Sequence, residues 1–384
     1  MPGDVALAQS SEPPSGGVRV PVSVSVASMS DELVATYRSE IMRIRRLAAR
    51  AMSAYDVSEP RMELIAHGEN TTFRVVGGDS NLETLSTSGE IDGQFLLRVH
   101  RPTRHGRDVD SEAAIRSELR WLMALRADTS LAVPEPVPTV GGSLTTTATA
   151  DGVAGPRVCS LLRWMKGRNH NRSARPVHLY RLGGVLAQLH NHADGWRPPD
   201  GFVRIRWDHE AYLGNTMVYG NVDAADAWTL LPANLQRDFE RVAEEVSNVM
   251  GLLGQGPDVF GLIHADAHLD NVLFDGPETR LIDFDDCGFG YRIYDVAVAL
   301  WELRHRDDFS SFKDALVGGY TEHRPLPIDQ LRHLDAFIAA REVAFGLWLA
   351  GMAQTRPAFR EELPAEFAYI ERSLGIVLSD RNRD

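Results

Sequence analysis

The chain has 384 residues, 43% of them hydrophobic, enough for a sizeable core in one large or two moderate domains. A formal net charge of −13 argues against nucleic acid as a partner and is compatible with a cationic substrate. Two cysteines, Cys159 and Cys287, build no disulfide framework; no apolar run reaches the roughly eighteen residues of a membrane span; and the first residues carry Asp4 and Glu12 rather than a basic segment before an apolar one, so a cytoplasmic protein without a membrane partner is expected.

Residues 1–29 are rich in Ser, Val, Pro and Gly, lack a helical period, and read as a disordered tail. From Ser30 to Tyr55, Leu33, Tyr37, Ile41, Ile44 and Leu47 recur at helical spacing, which predicts an amphipathic helix. Two strands follow, Met62–Ile65 and Thr72–Val76, around the polar turn His67-Gly68-Glu69-Asn70-Thr71. Such a turn can lay backbone N–H groups over phosphates, although many hairpins have one. Gly77 to Gly93 reads as a flexible loop, and Gln94–His100 as a third strand. Val109 to Leu125 has the period of a helix, with Ile115, Leu119, Leu122 and Leu125 on one face. Val133–Pro138 reads as an extended, proline-stiffened linker. A Thr-rich strand over Gly142–Thr149 and a further strand over Val158–Trp164 precede Lys166-Gly167-Arg168, where a domain boundary is placed.

Beyond that boundary the pattern is mainly helical. Leu179–His192 is an amphipathic helix ending in His190 and His192, which are read as surface groups favoured by the helix dipole rather than as a metal pair. In Trp207–Asn215, Asp208 and Glu210 either line a substrate pocket or are loop charges. Leu230–Leu253 is another helix. Helices are also expected over Tyr294–Trp301, Phe312–Tyr320, Ile328–Trp348 and Ala365–Leu378, with Asp295 as an N-cap or as an anchor for the preceding loop.

The most informative stretch is Leu262–Asp286, LIHADAHLDNVLFDGPETRLIDFDD. Val272–Phe274 and Leu281–Ile282 flank the turn Asp275-Gly276-Pro277 and predict a β-hairpin. Its two ends would bring Asp266, Asn271 and Asp283 together. Phosphoryl transfer needs such a set: one carboxylate to orient a hydroxyl and take its proton, with an amide oxygen and a second carboxylate to hold Mg²⁺. The bland alternative, unrelated loop carboxylates, fits this spacing poorly.

HADAHLDN followed by IDFDD resembles the catalytic and metal-binding segments of the aminoglycoside phosphotransferase/choline kinase family, matching at His264, Asp266, His268, Asn271, Asp283 and Asp285. It departs at Ala265, where glycine is usual and gives the backbone more freedom. The resemblance implies an α+β, two-lobed protein-kinase-like fold, with an antiparallel-sheet N-lobe over 30–165 and a helical C-lobe over 166–384. It implies ATP and Mg²⁺ as cofactors and a small-molecule hydroxyl as acceptor. Asp266 would be the catalytic base, braced by His264 and His268, and Asn271, Asp283 and Asp285 would face the metal. The nucleotide would meet Gly68 and Asn70 in the first turn, Arg98 in place of the usual lysine, Glu118 as the partner of Arg98, and a hinge at Leu162 and Trp164. Glu112 competes with Glu118 for Arg98. Arg341 and Glu342 are further candidates for the acceptor pocket.

Three functions are compatible with this reading. The first is a small-molecule kinase acting on an aminoglycoside-type antibiotic, an amino alcohol such as homoserine, or a sugar. The wording L-R-V-H-R-P looks closer to homoserine-kinase-like and stress-response-kinase relatives. The others are a protein Ser/Thr kinase of the same fold and a non-catalytic nucleotide-binding module. The sequence names neither the acceptor, nor the choice of ATP over GTP, nor the oligomeric state.

Overall fold

The computed structural model describes residues 31–77, 90–102, 110–213, 217–219 and 222–380. The tail expected at 1–29, most of the glycine-rich loop and Asn215 lie outside them.

Alternating burial builds the first lobe. The elements are α1 (Asp31–Met52), β1 (Arg61–His67), β2 (Thr71–Val76), β3 (Glu90–Val99), α2 (Ser111–Asp128), β4 (Pro136–Val137), β5 (Thr146–Ala148) and β6 (Arg157–Met165). The strands form one antiparallel sheet in the order β1-β2-β3-β6-β4, with β5 also paired to β6. In β2 every second side chain is buried, so Phe73 and Val75 face inward. They meet Leu47, Ala48 and Ala51 of α1, and Leu97 and Leu161, in a small apolar core. The stretch expected as a linker supplies a short strand, with Pro136 opposite Leu162 at the sheet edge, where a missing N–H costs little. Asp110 caps α2, its carboxylate accepting the Ala113 N–H at 3.0 Å.

The second lobe comprises α3 (Pro176–Gly195), β7 (Arg206–Trp207), α4 (His209–Leu213), β8 (Val218–Tyr219), β9 (Val222–Asp223), α5 (Ala224–Thr229), α6 (Ala233–Leu253), β10 (Phe260–Ile263), β11 (Val272–Asp275), β12 (Glu278–Leu281), β13 (Gly288–Tyr291), α7 (Arg292–Trp301), α8 (Phe309–Thr321), α9 (Ile328–Leu331), α10 (Leu334–Thr355) and α11 (Pro357–Asp380). The single helix expected over Ile328–Trp348 is two, broken at Arg332 and His333. The break leaves Ile328 exposed while Leu334, Phe337 and Ile338 enter the core.

One helix is, by length and composition, long and apolar enough to cross a membrane, Leu334–Gln354 within α10, although Asp335, Arg341 and Glu342 keep its unbroken apolar run well short of eighteen residues. Its apolar stretch is 83% buried inside the protein, and it packs in the larger of the two cores. The buried face of α2 (Ile115, Leu119, Trp121, Leu122, Leu125) belongs to that same core. Thus α2 precedes the proposed boundary in sequence but packs with the helices beyond it. Helices α3 and α8 touch through glycines: a Cβ at Gly183 would lie 2.1 Å from the Leu316 carbonyl, and one at Gly319 1.8 Å from the Tyr180 carbonyl.

Candidate active site

The loop after β10 is set by a buried carboxylate in α7. Asp295 Oδ2 accepts the His264 N–H at 2.9 Å and Oδ1 accepts the Ala265 N–H at 2.7 Å. Asp295 is therefore the loop anchor; the N-cap of α7 is Tyr291. His190 Nε2 donates to Asp295 Oδ2 at 2.9 Å, and its Nδ1 accepts from the Tyr320 hydroxyl at 2.8 Å. His190 is thus a fully buried brace, not the surface group its place near a helix end suggested. Burial pushes its pKa down, against the opposing effect of Asp295.

His264 is also fully buried. Its Nε2 donates to the Ile282 carbonyl at 3.0 Å and its Nδ1 accepts the Asp266 N–H at 3.2 Å. Burial lowers its pKa, so the neutral ring makes both bonds. It ties the loop to the strand that delivers Asp283 and acts as a positioning residue. The expected hairpin is present, with Val272 opposite Leu281, and the Ile282 N–H donates to the Asn271 carbonyl at 2.9 Å. Two non-glycine residues in this region have left-handed backbone, Ala265 at φ 67° and Asp283 at φ 61°. The first is the position where the resembled family has glycine, and the methyl group is the smallest side chain that can stand there instead.

Asp266 lies between cations. Its Oδ1 accepts from Arg341 Nη2 at 2.5 Å. Its Oδ2 accepts from Asn271 Nδ2 at 2.9 Å and lies 3.4 Å from His268 Nε2. Burial alone would raise the Asp266 pKa, but His268 and Arg341 outweigh it and hold the carboxyl below its usual range. Burial would lower His268, yet Asp266 outweighs that and lifts it to about 9. His268 Nδ1 faces Glu302 Oε2 at 4.0 Å, and ligand atoms of His268, Asp270 and Glu302 lie within 4.8 Å of one another. The sequence pattern gave no sign of this grouping.

Arg98 joins the lobes. Its guanidinium is buried and bonds Glu118 at 2.8 Å and Asp283 Oδ1 at 3.0 Å, with Asp285 Oδ1 at 3.6 Å. Glu118, not Glu112, is its helix partner; Glu112 is paired with Arg116 on the surface. Burial raises the Asp283 pKa, Arg98 opposes, and the carboxylate of Asp285 adds to the rise.

The first turn is fastened rather than open. The Gly68 N–H donates to the Asn70 carbonyl at 3.0 Å, and the Gly68 carbonyl accepts from Arg356 at 2.8 Å. Asn70 Nδ2 donates to Asp285 Oδ2 at 3.1 Å, and Asn70 Oδ1 accepts the Arg101 N–H at 3.0 Å. Arg101 also bonds Glu69 and Asp285. Asp285, expected at the metal, and Asn70, expected at the phosphates, are thus engaged with each other and with Arg101. Nothing in the L-R-V-H-R-P run marks Arg101 for this role. Nor does local pattern mark Arg204, a buried arginine whose guanidinium bonds the Asp285 carbonyl at 2.5 Å and the Ala114 carbonyl at 3.0 Å.

At the expected hinge, Leu162 is buried in the larger core, while Trp164 is half-buried under the Arg74 guanidinium, 5.1 Å from its ring centre. Asp208 turns its carboxylate to the Ala211 N–H at 3.4 Å at the start of α4, and Glu210 is exposed beside His209. Glu342 accepts from the Trp301 indole. Cys287 is fully buried, as expected of a structural cysteine.

Known proteins share this fold. The sequence profile described as the APH phosphotransferase enzyme family matches residues 65–334. A solved microcompartment-associated aminopropanol kinase superposes with a TM-score of 0.70 at 29% identity, covering 87% of this chain and 96% of that one. A solved amicoumacin kinase, in complex with AMP-PNP, Ca²⁺ and Ami, gives a TM-score of 0.64 at 18% identity over 90% of this chain and 96% of that one. The homoserine kinase of Pseudomonas aeruginosa is 32% identical over 223 residues, 54% of this chain and 64% of that protein. The fold is the two-lobed protein-kinase-like one, and the chain belongs to the phosphotransferase enzyme family, whose members act on hydroxyl groups of small molecules.

Proposed function

We propose that the chain transfers the γ-phosphoryl group of ATP, held with Mg²⁺, to a hydroxyl of a small molecule: an amino alcohol such as homoserine, an aminoglycoside-type antibiotic, or a sugar. The observation that carries this reading is the orientation of Asn271. Its Nδ2 donates to both the backbone carbonyl and the side chain of Asp266, at 2.8 and 2.9 Å, which leaves Oδ1 as the donor atom for a hard cation. Asp283 likewise spends Oδ1 on Arg98 and keeps Oδ2. Two oxygen donors of this kind suit Mg²⁺, which takes few protein ligands and completes its shell with water and phosphate. When bound, the metal neutralises charge on the phosphates.

The side chains do the rest by positioning. Asp266 accepts a hydrogen bond from the acceptor hydroxyl and aims its oxygen. A carboxylate flanked by two cations is a weak base, so its proton transfer comes late, as the new P–O bond forms and acidifies the hydroxyl. Arg98, fixed by Glu118, meets the phosphates. The Gly68–Asn70 turn closes over them, and the backbone at Leu162–Trp164 borders the adenine.

The test is γ-phosphate transfer into a panel of amino alcohols, sugars, aminoglycosides and a generic protein, read by mass. Asp266→Asn should lower turnover by roughly 10²–10⁴-fold while nucleotide still binds. Wild-type turnover in that variant would refute the assignment, and phosphate appearing only on protein would replace the acceptor class.

A further inference from the structure

We propose that Arg341 binds an anionic group of the acceptor, so that the preferred substrate carries a carboxylate next to the hydroxyl it offers to Asp266. This rests on the phosphotransferase reading above and narrows its acceptor from any small-molecule alcohol to a hydroxy acid.

The Nε and Nη2 of an arginine lie along one edge, which a carboxylate characteristically spans with both oxygens. In Arg341, Nη2 is taken by Asp266 Oδ1 at 2.5 Å. Its Nε is shielded from solvent and has no acceptor among the described residues. Asp266 does not supply the second oxygen, because its Oδ2 is committed to Asn271 at 2.9 Å and faces His268 at 3.4 Å. Nor is the guanidinium loose. It lies over the Trp301 ring, 5.0 Å from the centre, and Trp301 is itself bonded to Glu342.

One prong of a fixed fork therefore lacks its oxygen, immediately beside the oxygen proposed to receive the hydroxyl. A buried donor without an acceptor is costly, and an acceptor molecule that brings one gains the difference. A carboxylate does so. An amino alcohol or a sugar hydroxyl brings no charge to match the guanidinium. If Arg341 were only the counter-ion of Asp266, removing the acceptor's carboxylate would have no effect.

The experiment uses two matched pairs that differ by that one group: L-homoserine against 3-amino-1-propanol, and L-threonine against 1-amino-2-propanol. Each pair keeps its ammonium, so the carboxylates Asp270 and Glu302 beyond His268 act equally on both members. With the full-length protein, kcat/KM should favour the carboxylated member by at least about 10-fold in the pair that is turned over. Arg341→Gln should collapse the ratio towards unity, chiefly through the KM of the carboxylated member, and Arg341→Lys should restore part of it. Equal rates within the pairs, or a preference for the amino alcohol, would overturn the inference. So would a fall in Arg341→Gln that is the same for both members. Should Arg341→Gln fail to fold, the wild-type ratios still decide. Phosphorylation of sugars or aminoglycosides alone, lost in Asp266→Asn, would sink this inference and leave the phosphotransferase reading standing. No transfer and no Asp266-dependent ATP hydrolysis would sink both.

Discussion

Asp266 and His268 stabilise each other's charged forms, and the consequence is a pH dependence of stability with a defined sign. His268 is lifted from 6.5 to about 9 in the folded chain, so its contribution is complete below pH 6.5 and is lost as pH rises through 9. Asp266 is lowered from 3.8, so its contribution is present above that value and is lost only as acid protonates the folded carboxyl. The pair therefore supports the fold fully between pH 3.8 and 6.5. The Tm difference between wild type and His268→Gln should be largest there and should close towards pH 9. A difference that stays flat across that range would mean His268 is neutral in the fold. At this scale the sequence was informative where a residue's role depends on its neighbours in the chain. The spacing of Asp266, Asn271 and Asp283 around a short hairpin predicted their convergence, whereas Glu118 as the partner of Arg98 came from the family resemblance. The bonds of Asp285 to Asn70 and Arg101 were not legible, because those partners lie 215 and 184 residues away, a distance no local pattern spans.

Elements with a long period were legible, and those without one were not. The longer helices and the strands β2, β3 and β6 follow from apolar spacing, whereas the short helices α4 and α5 and the two-residue strands β7, β8 and β9 carry no period. The break between α9 and α10 was also invisible, because apolar residues continue on both sides of it. The contact of α3 with α8 shows what glycine does in such elements. An alanine in an open helix position is stabilising by about 0.5–1 kcal/mol relative to glycine. Gly318→Ala, whose Cβ would meet nothing nearer than 3.9 Å, should behave that way. Gly319→Ala should do the opposite, because its Cβ would sit 1.8 Å from the Tyr180 backbone, and forcing the helices apart costs about 1–3 kcal/mol or more. Opposite shifts in Tm for adjacent substitutions check this; equal shifts would show that the helices are not held in close contact.

Across the whole molecule, two cores and a few arginines define the arrangement. That α2 packs with the larger core could not be read from chain order, since its apolar stripe fits either lobe. The clamp on the first turn was equally hidden, because Arg356 and Gly68 are 288 residues apart. Arg356→Ala should raise hydrogen exchange at residues 68–70 while leaving global stability within about 0.5 kcal/mol, as expected when one partly buried contact is lost. Unchanged exchange would mean the Arg101 network holds the turn by itself. The clamp also bears on timing. If ATP lies beneath the turn, as proposed, ADP must pass a lid fastened by Arg101 on one side and Arg356 on the other. Chemistry then runs ahead of departure: the first phosphorylated product forms in a burst, and the slower steady rate that follows is set by how often the turn lifts.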